Sequence, residues 1–149
     1  MINEDLKLRG DVAIVLKDKN GNVKESREIN NLVVTAGLTF ICARMAAASA
    51  DVMSHMALGS GTTAAAAGDT DLESILGSRE ALDSSTASNN TITYVSSFEA
   101  GEGTGAVTEA GVFNAASSGT MLCHVIFPVV NKQADDTMSV TWIITLTAS

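Results

Sequence analysis

Apolar and polar residues begin to alternate at Gly10, where Val12, Ile14 and Leu16 are separated by smaller or polar neighbours. A period of two is the mark of a strand with one covered face. Asp18-Lys19-Asn20-Gly21-Asn22 follows, and its Asn-Gly pair favours the tight turn of a hairpin. The returning segment, VKESREI from Val23 to Ile29, carries Lys24, Glu25, Arg27 and Glu28. So much charge is too polar for the centre of a sheet and suits a solvated edge.

The period then changes. After LVVT, Thr35 stands where a helix cap belongs, and Leu38, Ile41 and Met45 recur at three- and four-residue spacing with Phe40 and Ala43 beside them. This predicts one helix over about residues 36–48, lying across an open side of a sheet. Further on, VMSHMALGSG reads as a strand, and TTAAAAGDTDLESILG as a loop with a short helical turn around Leu72 to Leu76. REALDSSTAS and TITYVSSFEA flank Asn89-Asn90 as a second hairpin, with Ile92, Tyr94 and Phe98 on one face. GEGTG is expected to be a flexible loop, AVTEAGVFN and TMLCHVIFPVV strands, Asn131 to Asp136 a turn, and MSVTWIITL the closing strand. In that last segment Met138, Val140, Trp142, Ile144 and Leu146 are the apolar set, which turns Trp142 inward. Met121 to Phe127 is apolar at both alternations, so both of its faces are expected to be covered, by the helix or by another subunit.

Eight or nine strands with one helix predict a mainly β chain, an antiparallel β-sandwich or jelly-roll-like domain. The linkers are short, so residues 10–149 form a single domain. Residues 1–9 have no clean period and read as an N-terminal arm. Either it frays or its Ile2, Leu6 and Leu8 dock on a neighbouring subunit.

Composition narrows the partners. Of the 149 residues, 46% are hydrophobic and 17% charged, enough apolar material for one core and too little charge for disorder. Nine basic against seventeen acidic residues leave a net charge of −8, which repels phosphate backbones and anionic headgroups. Nucleic acid and membrane are therefore excluded as expected partners. Met1-Ile2-Asn3-Glu4-Asp5 lacks the basic and apolar regions of a signal peptide, so synthesis in the cytoplasm without export is expected. Abundant alanine, serine, threonine and glycine suit a subunit with many neighbours, and equally an Ala/Thr-rich β domain.

Little in the chain is arranged for catalysis. His55, in MSHMA, and His124, in LCHVI, are the conventional bases, and both sit among apolar neighbours as core or interface histidines do. Gly59-Ser60-Gly61 has the wrong glycine spacing for a nucleophile elbow, and GEGTG lacks the following helix of a phosphate loop. Asp69, Asp71 and Glu73 alternate as calcium ligands do but without the rest of the loop pattern, and a helix N-terminus accounts for the same positions. Cys42 and Cys123 lack metal or redox spacing and read as buried free thiols. With one Trp and one Tyr, both in core-facing positions, no aromatic sugar platform is expected. The expectation is a protein that is not an enzyme and uses no metal and no cofactor.

Three pieces, the GSGTTAAAAGDT turn, the TGAVTEAGVFNAASSGTML hairpin and the closing VTWIITL strand, resemble small virion proteins of tailed bacteriophages, some of them tail-fibre-like. The resemblance spans roughly residues 31–148. It implies a structural protein of the virion, made in the host cytoplasm, whose partners are other phage structural proteins: capsid, neck or tail subunits. A homo-oligomer, with a trimer as one form, goes with that reading. Without a long shaft or an aromatic-rich tip the chain fits an accessory head or neck decoration (cement) protein better. The alternative is a short tail-fibre or adhesin module contacting the host cell surface, with loops such as GEGTG and NAASSG at its tip.

Overall fold

In the computed structural model, which describes residues 5–47 and 50–148, the first alternating segment forms β1 (Leu6–Lys17) and the charged one β2 (Val23–Val33). The turn between them is held by Asp18, whose Oδ1 accepts from the Asn20 and Asn22 amides at 2.9 and 3.0 Å, with Gly21 at φ 83°. Then come α1 (Thr35–Ala47), β3 (His55–Gly59), β4 (Glu80–Ala81), β5 (Ser84–Ser88), β6 (Thr91–Phe98), β7 (Gly105–Phe113), β8 (Met121–Lys132) and β9 (Thr137–Ala148). Residues 6–9 of the expected arm are thus strand, with Leu6 opposite Ala148 and Leu8 opposite Leu146. Ile2 lies outside the described residues.

All pairings are antiparallel, and the strands form one sheet in the order β4-β3-β7-β8-β2-β1-β9-β6-β5. The sheet curls into a half-barrel. Its two ends are sequence neighbours: the chain leaves the β3 side at Leu82, whose amide reaches the Ser54 carbonyl at 2.9 Å, and joins β6 at Asp83, whose amide reaches the Val95 carbonyl at 2.7 Å. One apolar cluster fills the curl, with Val12, Ile14, Leu16, Phe98, Val140 and Trp142 from one half meeting Met56, Leu58, Val112, Val125 and Phe127 from the other. Trp142 is fully buried and faces inward, as its alternation predicts.

Other expectations are refined or changed in the folded chain. By sheet order β2 is interior, yet it pairs β8 only through Leu32 and Val33 and meets β1 alone along residues 23–31. Its charged length still runs as an edge, because the curl carries β8 away from it. The helix is one residue earlier than expected and is rotated. Val34 accepts its first helical bond, from Leu38, and Leu38 and Met45 are 43% and 83% exposed. Gly37 explains the rotation: a Cβ there would collide with the Leu122 carbonyl oxygen, so the helix backbone docks on β8 at this point. Phe40 and Ile41 turn to the core, and the 38/42/45 stripe turns out. Residues 72–76 are not helical. Ile75 bridges Gly59, extending the edge that β4 makes on β3. The GEGTG loop is pinned, not free: the Glu99 amide donates to Glu102 Oε2 at 2.8 Å, the Gly101 amide to Ala134 O at 2.9 Å, and Gly103 is buried against Leu58 at φ 60°.

Helix rotation also separates the two thiols. Cys42 is exposed, not buried as the sequence suggests, while Cys123 is buried and its thiol pKa is pushed up by desolvation. A thiol reagent is therefore expected to modify Cys42 in the native protein and Cys123 only after denaturant is added. Mass spectrometry of the alkylated chain reads this directly, and native labelling of Cys123 would contradict the packing described here.

Candidate functional site

Glu109 and His124 are titratable residues set in largely apolar strands, on β7 and β8. The register sets Gly111 opposite His124 and Ile126 opposite Glu109, so the two are diagonal neighbours on one face. That face would be solvated, but residues 60–76 fold across it. Glu109 is fully buried and His124 is 3% exposed.

A buried carboxylate needs donors, and the loop supplies them. Glu109 accepts from the backbone amides of Gly61 (3.2 Å), Glu73 (3.1 Å) and Ser74 (2.8 Å), and its Oε2 lies 2.9 Å from His124 Nε2. The other ring nitrogen, Nδ1, lies 2.7 Å from Asp69 Oδ2, so a ring carrying a proton on each nitrogen donates to both carboxylates. Asp69 Oδ2 also accepts from the Ala66 amide at 2.8 Å, and Thr108 Oγ1 donates to Gly61 O at 2.6 Å. Gly59 and Gly61 are required by this approach. A Cβ on Gly59 would collide with Glu109 Oε1, and one on Gly61 would stand 2.7 Å from the same oxygen. The Gly-Ser-Gly motif thus makes room for a carboxylate.

Asp69, Asp71 and Glu73 do not head a helix; they line one cleft with Thr63 and His124, but each carboxylate has a partner of its own. Asp69 reaches His124, Glu73 Oε2 accepts from the Thr63 amide at 3.0 Å, and Asp71 Oδ1 accepts from the Leu72 amide at 2.8 Å. Arg79 closes the far end of the loop. Its guanidinium stacks 3.6 Å over the Phe113 ring and donates to the carbonyls of Ala115 and Ser118 at 2.9 and 2.7 Å. His55 stands apart on β3, only partly buried, with Nδ1 2.8 Å from Ser54 Oγ.

These bonds set an acid limit. Asp69 is held below the usual carboxylate range by the Ala66 amide and then by His124, and Glu73 by the Thr63 hydroxyl and amide. Asp18, through the Asn22 amide, and Asp136, through Lys24 at 2.8 Å, are lowered too. A carboxyl whose folded pKa is depressed adds stability that is complete above its unfolded pKa and is lost as pH falls through the folded one. The urea midpoint is accordingly expected to be flat from neutral pH down to the usual carboxylate range and to fall steeply below it. A midpoint unchanged through that range would contradict these assignments.

The contact residues expected at the N-terminus divide. Leu8 is half-buried and packs on the core cluster, whereas Leu6 is 63% exposed. A larger surface lies on the outer face of β5, β6, β9 and β1, where register brings together Ser84, Thr86, Thr93, Val95, Thr141, Ile143, Ala13 and Val15, all half-buried or exposed, and the Arg9–Asp11 pair, opposite Thr145 and Ile143, marks its charged margin on β1. Residues 84–98 and 137–149 contain no Asp, Glu, Lys or Arg. Sequence reading missed this face because its strands are distant in the chain; the two charge-free runs were the available signal.

No protein-family model, no curated protein and no solved structure matches the chain.

Proposed function

We propose that the protein is a structural component of a tailed-bacteriophage particle, an accessory head or neck decoration (cement) protein that works by laying uncharged β surface against neighbouring subunits. The observation that carries this reading is the charge-free face of β5, β6 and β9 on a chain whose net charge is −8. Burying hydrated charge at an interface is costly, and interface centres are depleted of it. The convergent titratable groups add support of a second kind, because the Glu109–His124–Asp69 cluster spends its hydrogen bonds holding a loop in place. The two facing halves of the curled sheet act as the layers of an open sandwich, a stiff body for such contacts.

Co-sedimentation with phage heads lacking decoration tests the proposal. Saturable binding in many copies per head is expected. Binding to host cells with none to heads would overturn it in favour of the adhesin, and turnover of a cell-wall polymer would overturn it in favour of an enzyme.

A further inference from the structure

The protein treats its free strand edges in opposite ways. Along residues 23–31 the edge that β2 presents toward β8 carries Lys24, Glu25, Arg27 and Glu28, with Arg27 Nη2 3.4 Å from Glu25 Oε1. Charges of this kind stop another strand from adding on. By contrast β5, Ser84-Ser85-Thr86-Ala87-Ser88, ends the sheet with all five residues exposed and carries no charge, no proline and no bulge in its pairing with β6. Its side away from β6 offers alternate backbone N–H and C=O groups to whatever can pair with them.

We propose that this edge pairs with the β5 edge of a second copy of the chain, antiparallel about a two-fold axis, joining two curled sheets into one. Charge selects the occupant. Two copies each bearing −8 repel except where neither presents charge. A strand of small hydroxylated residues meeting itself sets Thr86 opposite Thr86 of the second copy, with Ser and Ala pairs on either side and no like-charge contact. The pairing closes at two copies, because the opposite end of the sheet is β4, only two residues long. Five residues a side bury well below the roughly 1,200–2,000 Å² of a stable interface, so the dimer is weak and concentration-dependent in solution, and is favoured where a particle surface crowds copies together.

The inference rests on the reading of the protein as one that works by packing, yet it needs no particle. Head binding can fail while the dimer stands, and the dimer can fail while heads still bind. Sedimentation equilibrium of the full chain is expected to show monomer and dimer exchanging with concentration. Thr86→Lys and Thr86→Glu should each give monomer with the wild-type circular dichroism and melting temperature, and an equal mixture of the two should restore the dimer. Leu38→Lys, on the exposed helix stripe, should leave it intact. A wild-type monomer at every concentration, a trimer, dimers of either Thr86 variant alone, or a mixture that stays monomeric would overturn the proposal.

Discussion

Replacing Glu109 by alanine is expected to lower the stability of the fold by about 3–5 kcal/mol, the cost of removing one partner from a buried ionic cluster and leaving the rest behind. Three backbone amides, of Gly61, Glu73 and Ser74, lose their acceptor, and His124 Nε2 loses its partner. A domain of this size is stable by roughly 5–15 kcal/mol, so the loss is a large share of the whole. Glu109→Gln keeps the shape and one acceptor oxygen but turns an NH₂ group toward donors, and should fall in between. Urea denaturation gives the magnitude. Amide exchange gives the place, with the Gly61, Glu73 and Ser74 amides exchanging faster before any other part of the sheet. Wild-type stability in Glu109→Ala would mean that the loop over β7 and β8 is held by something else.

Trp142→Ala is expected to cost a comparable amount, about 3–5 kcal/mol, through the cavity it opens. The indole sits at the middle of β9 with Val12 on one side and Tyr94 on the other, fully buried. Its Nε1 has no hydrogen-bond partner among the described residues. Trp142→Phe therefore removes an unmatched donor along with some volume, and the first partly offsets the second, leaving a loss of roughly 1 kcal/mol. Thermal melts followed by circular dichroism compare the two. A Trp142→Phe loss well above that figure would contradict an unmatched N–H. In the parent chain the same residue, the sole tryptophan, should report unfolding by a red shift of its emission.

The elements these predictions depend on differ in how far they can be read from the sequence. Strands with one covered face are local objects, and Val12-Ile14-Leu16 or Met138-Val140-Trp142 state their burial by alternation alone. The hairpin turns at Asn20-Gly21 and Asn89-Asn90 are local for the same reason, and Asn89 does take a positive φ of 52°. The helix was legible as a helix. Its facing was not, because Leu38 and Met45 satisfy the spacing as well as Phe40 and Ile41 do. Close approach at Gly37 to a strand some 85 residues further along chose between them.

What the sequence determined by itself is therefore the class of object: a mainly β chain with one helix, an inward tryptophan and two long runs without charge. Tertiary structure decided everything that needs two distant segments at once. Glu109 and Asp69 meet His124 across separations of 15 and 55 residues, β2 is interior at one end and an edge along the rest, and β5, β6, β9 and β1 merge into a single face. Periodicity reports which side of an element is covered. It carries no information on what does the covering, since an apolar or polar residue looks the same in the chain whether its partner is a strand, a loop or another molecule.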